Sequence, residues 1–209
     1  MPFRAEVVGA WCHAVRMATN TEPPPVDAVF LRGVSFFDEV LSTIPADSWN
    51  APSPCEGWSA RDVVGHVVGT MTKGLAVLTG AEYQSGPSEP GEQSDPVTRW
   101  PEIRDRLRDA VRTAPLEREM DSPQGRRSVA DGLRFPAADL AVHAWDVAAA
   151  AGRHVELPEE LRAHVVATCQ QVPEDVLRSP GRFGPARQAP TGADETTKLM
   201  AWLGRAPVV

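Results

Sequence analysis

An all-α fold is predicted by three features of the chain. Apolar residues recur every three or four positions over several long segments, and no stretch shows the alternation of a half-buried strand. Prolines and glycines stand at the ends of those segments, where the first helical turn and the left-handed residue past the last turn favour them. Finally, no nucleotide-type glycine loop, G-x-S-x-G elbow or internal repeat appears to argue for another architecture. A length of 209 residues suits one domain, or one bundle with a small appendage, able to bury roughly 70% of its unfolded surface. The expected organisation is an N-terminal arm over 1–25, whose order the sequence does not set, a four-helix bundle over 26–152, and a helical segment over 153–209 packed on it.

The arm carries short apolar patches (Val7, Val8, Trp11, Val15) and ends in the run Pro23, Pro24, Pro25, which blocks helix continuation. From Val26 to Ile44, the positions Val29, Phe30, Gly33, Phe36, Phe37, Val40, Leu41 and Ile44 form one stripe that Pro45 stops. A polar loop with Trp49, Pro52 and Pro54 leads to a second helix starting at Ser59 or Ala60, where Ser59 can cap, Asp62 can answer it three residues later, and Trp58 can staple onto Val63. In that register Val63, His66, Val67 and Thr70 share a face, so His66 points to the core. Gly65 and Gly69 weaken the helix by roughly 1 kcal/mol each but permit close approach of a neighbour.

Residues 84–96, rich in Pro, Gly and Ser, read as a connection. Val97 to Thr113 is highly charged with a narrow stripe of Trp100, Ile103, Leu107, Ala110 and Val111, a third helix exposed on its outer side. A loop from Pro115 to Asp131 precedes the fourth helix, opened at Pro136 and closed at Gly152. Leu157 to Leu177 holds a further helical pattern that Pro173 breaks or kinks, and a short helix near Thr196 to Leu203 packs Leu199, Trp202 and Leu203 onto the body.

Charge and composition exclude several function classes. Twenty-eight acidic against 21 basic residues, net −7, leave no broad electrostatic footprint for nucleic acid or an anionic membrane. No run approaches a membrane span, and residues 1–25 lack a signal-like apolar block. Cys12, Cys55 and Cys169 are odd in number and scattered, which gives neither a disulfide framework nor a C-x-x-C site. A soluble, cytoplasmic protein, monomer or homodimer, acting on a small molecule is expected.

Within the fourth helix, Asp139 and His143 stand four apart and therefore on one face, at the spacing of metal ligands. A buried acid and imidazole would be costly without a shared partner, and His66 is the best further donor. Three ligands of the His, His, carboxylate kind are what a catalytic zinc uses when it keeps an open position, whereas a dinuclear carboxylate bundle would need further inward motifs that are not visible. Against this stands the commoner reading of a lone apolar-face histidine as a hydrogen-bonded core residue. Asp146 reads as an acceptor for His143 or as a solvated or packing acid, and Glu56 as a pocket base or a loop acid. Arg134 and Arg182 read as holders of an anionic co-substrate or as solvated surface arginines. Cys55 is read as a small buried hydrophobe, Trp58 and Trp145 as packing anchors, and His13, His154 and His164 as surface residues.

The segments PSPCEGWSARDVVGHVVG, DLAVHAWDVAAAAG and APTGADETTKLMAWLGRAP together resemble the DinB-like superfamily, in the branch related to mycothiol-dependent maleylpyruvate isomerase. The likeness runs from about residue 26 to the C-terminus and is most specific in the second and fourth helices. It implies a DinB-like four-helix bundle with additional C-terminal helices. It also implies a divalent metal, usually zinc, on a second-helix histidine and an acid-x-x-x-histidine pair, positions that match His66, Asp139 and His143. Asp139 is one methylene shorter than the isomerase's glutamate, and residues 153–209 have no match assigned in the isomerase's C-terminal domain.

Three function classes follow. The resemblance implies a metal-dependent enzyme using a low-molecular-weight thiol, mycothiol, for transfer to or isomerisation of a small electrophile. The alternatives are a metal-dependent hydrolase or lyase using bound water, and a non-catalytic metal- or small-molecule-binding protein. The chain shows no clear second catalytic group, which a hydrolase usually has and a thiol transferase needs less.

Overall fold

The computed structural model describes residues 24–80, 95–122 and 125–206. The arm over 1–23, with Cys12 and His13, and most of the connection, 84–94, therefore lie outside the described residues, and the expectations for them are not addressed. The regular structure among the described residues is helical apart from one short hairpin and an isolated bridge between Pro52 and Ser59, as the all-α reading expects.

Helix α1, Val26–Leu41, buries Val29, Phe30, Phe36, Phe37 and Val40 along the expected stripe. It stops three residues before the expected Ile44, because the Ser42 and Thr43 hydroxyls donate to the carbonyls of Glu39 and Val40 and close the last turn. A 3-10 turn, Ala46–Asn50, then crosses to α2, Ala60–Leu78. Its start is a reciprocal capping box in which the Ser59 hydroxyl accepts from the Asp62 N–H while Asp62 accepts from the Ser59 N–H at 2.9 Å.

Helix α3, Pro96–Thr113, has a proline in its first turn and buries Trp100, Ile103 and Leu107. It is tied to α1 by Asp38, which accepts from the Trp100 indole at 2.9 Å and from Arg104 at 2.8 and 3.0 Å. The connection after α3, expected to be loop alone, contains strands β1, Glu119–Met120, and β2, Arg127–Ser128, paired antiparallel. Two residues a side are too few to show a period in sequence.

Ser128 caps the one-turn helix α4, Val129–Gly132, accepting from the Asp131 N–H, and Leu133 keeps helical geometry into α5, Arg134–Ala150. Thus α5 begins two residues before Pro136, which sits in its first turn where an N–H has no partner. It ends as expected, with Gly152 in the left-handed region at φ 66°. Twelve of its 17 residues are buried, so it is apolar on nearly every side and occupies the centre, against α1, α2 and α6. Gly33 of α1 permits a close approach of α5, since a β-carbon there would lie 3.3 Å from the Ala137 carbonyl oxygen.

The helical pattern over Leu157 to Leu177 is broken at Pro173, one of the two outcomes expected there, into α6, Glu159–Gln170, and α7, Glu174–Leu177. Helix α8, Glu195–Trp202, is capped by Asp194, and the buried Thr196 hydroxyl accepts from the Leu157 N–H at 3.0 Å. Among the described residues no helix is long and apolar enough to cross a membrane.

Candidate metal centre

The site lies where α2 faces the middle of α5. On α5 the stripe Asp139, Val142, His143, Asp146 recurs at three- and four-residue spacing and turns toward α2 and the loop before it. That loop is folded tightly: the Ser53 N–H donates to the Trp58 carbonyl at 2.8 Å, the Trp58 N–H donates to the Cys55 carbonyl at 3.0 Å, and Gly57 takes φ 80°. Cys55 and Trp58 are thereby set against the helix face, while Glu56 and Gly57 stay exposed at the tip.

His66, Asp139 and His143 offer ligand atoms that all lie within 4.8 Å of one another. Asp139 Oδ1 is 3.5 Å from His66 Nε2 and 3.3 Å from His143 Nε2. Charge-assisted N–H···O bonds are shorter, near 2.7–2.9 Å, whereas two atoms each about 2.1 Å from a tetrahedral ion stand about 3.4 Å apart. The second oxygen, Asp139 Oδ2, is buried and has no hydrogen-bond partner. A carboxylate spaced as a co-ligand and half unsatisfied fits a divalent ion better than it fits a closed hydrogen-bond network.

Behind His143, its Nδ1–H donates to Asp146 Oδ2 at 2.9 Å. Asp146 is fully buried and accepts further from the Cys55 thiol at 3.2 Å and from Arg205 Nη2 at 2.9 Å, with Arg205 Nε on Oδ1 at 3.2 Å. Burial disfavours each charged form but is outweighed. His143 and His66 hold Asp139 well below the usual carboxylate range, and Arg205 with His143 does the same for Asp146. Asp139, Asp146 and Cys55 hold His143 well above the ordinary imidazole value, and Asp146 raises Arg205 further. The imidazole that meets a carboxylate on one nitrogen and presents the other to the ligand cluster has the usual arrangement of a metal-binding histidine.

The cluster opens into a cavity of about 680 Å³. Trp58 forms one wall, its ring 5.1 Å from that of His66 and 6.5 Å from that of His143. The irregular chain from Arg178 to Arg187, which includes the exposed Arg182, lines the cavity as well. Glu56 also lines the cavity. Arg134 does not: it is exposed and bonds Asp131 at 3.0 Å.

Two expectations need correcting, those for Cys55 and His164, while those for His154 and Trp145 agree with the structure. Cys55, read as a buried hydrophobe, is half-buried and bonded to Asp146, because the turn through Gly57 swings it toward α5. His164, read as a surface residue, is half-buried with its ring bonded to the Arg134 carbonyl oxygen at 2.9 Å. His154 is on the surface, 59% exposed. Trp145 is a buried packing residue. Arg205, which sequence reasoning did not single out, is buried at the site; a lone arginine after Gly204 carries no spacing signal, and only its tertiary partner marks it.

Residues 30–148 match the family described as mycothiol maleylpyruvate isomerase N-terminal domain. Uncharacterized proteins from two strains of Mycobacterium tuberculosis are each 27% identical over 179 residues, spanning 83% of this chain and 94% of theirs. Among solved structures, that of mycothiol-dependent maleylpyruvate isomerase superposes with a TM-score of 0.56 at 18% identity, covering 69% of this chain and 68% of that one. A histidine-to-alanine variant of the same enzyme gives 0.54 at 16% over the same shares. At such identities the structural likeness speaks to the fold.

Proposed function

Because the chain belongs to the mycothiol maleylpyruvate isomerase N-terminal domain family, we propose that it is a zinc-dependent enzyme. It uses a low-molecular-weight thiol, mycothiol, for transfer to or isomerisation of a small electrophilic substrate. His66, Asp139 and His143 are the proposed ligands. The observation that carries the reading is Asp139 itself, spaced from two imidazoles as a co-ligand and left with one buried oxygen unpartnered beside an open cavity.

A divalent ion held there by three side chains supplies Lewis-acid chemistry at its remaining position, lowering the pKa of a thiol or water that binds it. The chain's own residues do the rest. Asp139 contributes one negative charge, which leaves the site net positive and attractive to a thiolate. Asp146 keeps the His143 ring oriented by accepting from Nδ1–H. Trp58 closes one side of the cavity with an apolar face and excludes water from the ligand cluster. Arg182 and Glu56 both line the cavity, where Arg182 would meet an anionic group of the substrate and Glu56 would exchange a proton.

The test replaces the metal with cobalt, adds thiol at neutral pH and records the absorption spectrum, then compares turnover of an electrophile with and without thiol. A sulfur-to-cobalt charge-transfer band with thiol-dependent turnover is expected. Hydrolysis that proceeds equally well without thiol, and no such band, would replace this reading with the bound-water hydrolase. If neither thiol-dependent turnover nor hydrolysis occurs, a non-catalytic binding protein becomes the better reading.

A further inference from the structure

Arg205 lies outside the stretch that matches the family, yet its guanidinium sits behind the ligand cluster. It is 7% exposed and grips Asp146 with two nitrogens, Nε on Oδ1 at 3.2 Å and Nη2 on Oδ2 at 2.9 Å. A third nitrogen, Nη1, donates to the Leu203 carbonyl at 3.3 Å, and the guanidinium carbon stands 4.9 Å from the centre of the Phe183 ring. Thus bound, the group faces Asp146 at the edge of the cavity, with Nη2 also 3.9 Å from the Cys55 sulfur.

The backbone around it is built to hold that pose. Gly204 takes φ 85° and packs so closely on Gly184 that a β-carbon would fall 2.7 Å from the Gly184 oxygen. Arg187 ties the same two strands of chain, its N–H to the Ala201 carbonyl and its Nε to the Gly204 carbonyl, each at 2.8 Å. Arg178 Nη1 holds the Gly184 carbonyl at 2.8 Å, and the Arg205 N–H reaches Met200 at 2.9 Å. Left-handed backbone and direct backbone contact together leave room for glycine alone at 204.

We propose that Arg205 is a positioning residue: the clasp of Gly184 on Gly204 sets its guanidinium against Asp146, and Asp146 in turn fixes the His143 imidazole with hydrogen on Nδ1 and Nε2 presented to the ligand cluster. An ionised carboxylate only accepts, so the ring nitrogen that meets it carries the hydrogen. A bidentate arginine holds both carboxylate oxygens in one plane, which a lysine cannot do. The C-terminal segment thereby orients a ligand on the central helix. The inference rests on the reading of His143 as a metal ligand.

Three variants test it: the double replacement Asp146→Leu with Arg205→Met, Gly204→Ala, and Arg205→Lys. The double variant removes both buried charges together, which a fold tolerates better than losing one. Zinc affinity is measured by competition with a chromophoric chelator, and the His143 ring is followed by nitrogen-15 NMR of the zinc-loaded protein. The parent is expected to show a slowly exchanging Nδ1–H proton. The double variant should lose it and bind zinc roughly 10–100-fold more weakly. Gly204→Ala should shift both readouts in the same direction without removing a polar atom, and Arg205→Lys should fall between parent and double variant. Should the double variant fail to fold, Gly204→Ala carries the comparison. Parental affinity and an unchanged Nδ1–H signal in the variants would overturn the proposal, as would weaker affinity with that proton retained. A parent that binds no zinc would instead overturn the functional reading, and this inference with it.

Discussion

His66 is the proposed ligand whose loss should separate metal binding from the fold most cleanly. Its side chain is 20% exposed, at the cavity edge of α2, so His66→Leu leaves the apolar face of that helix filled and should change metal-free stability by less than about 1 kcal/mol. The bound state behaves differently. If the proposed site binds zinc, the ion at one hundred times its dissociation constant should stabilise the parent by about 2.7 kcal/mol. For a chain of 209 residues that corresponds to a rise in melting temperature of about 5–11 °C. Removing one of three proposed ligands should weaken binding by at least the ~100-fold that loss of an outer partner can reach. At the same zinc concentration the stabilisation then falls to about 0.4 kcal/mol, or about 1–2 °C. Thermal unfolding of chelator-stripped parent and variant, each with and without zinc, reads all four values. Equal zinc-induced shifts in the two proteins would refute the assignment of His66, and a large destabilisation of the stripped variant would refute the placement of this side chain at the rim.

Asp38→Ala should cost about 2–4 kcal/mol in urea unfolding, because it strands the buried Trp100 indole N–H and releases the partly exposed Arg104, while Asp38→Asn, which keeps an acceptor for the indole, should cost less than half as much. Burial pushes the Cys169 thiol up to about 11, so in the native protein at pH 8 Cys55 should alkylate well before it, as peptide mapping would show. The same shift has a sign in stability. Between the unfolded value of 9.0 and about 11 the unfolded chain binds fewer protons than the native one, so stability falls as pH rises through that window, and Cys169→Ala should flatten the fall.

The parts of this structure that sequence could reveal are those written in local spacing. Ser59 and Asp62 mark the start of α2 because a capping box is a three-residue relation, and Gly152 marks the end of α5 because left-handed backbone favours glycine. Asp139 and His143 could be read as a pair for the same reason, and His66 through the apolar stripe around it. What escaped is non-local or weakly coded. Cys55 meets Asp146 across 91 positions and Arg205 meets it across 59, so neither has a periodic neighbour to announce its role. The break at Pro173 was visible as a kink or stop, but the choice between them is made by how α6 packs on α5, which is tertiary.

The central position of α5 has a consequence for the order of events in folding. His66 lies on α2 and its proposed co-ligands at 139 and 143 on α5, with all of α3 and the hairpin connection in between. Bringing those helices together closes a loop of some seventy residues, an entropic step that helix formation within either segment does not help. An ion would therefore find no preassembled donor set in the collapsing chain and would bind only after α2 has docked. Interactions made that late leave the folding rate nearly unchanged and slow unfolding instead, so a zinc-loaded chain should outlast its stripped form chiefly through a longer native lifetime.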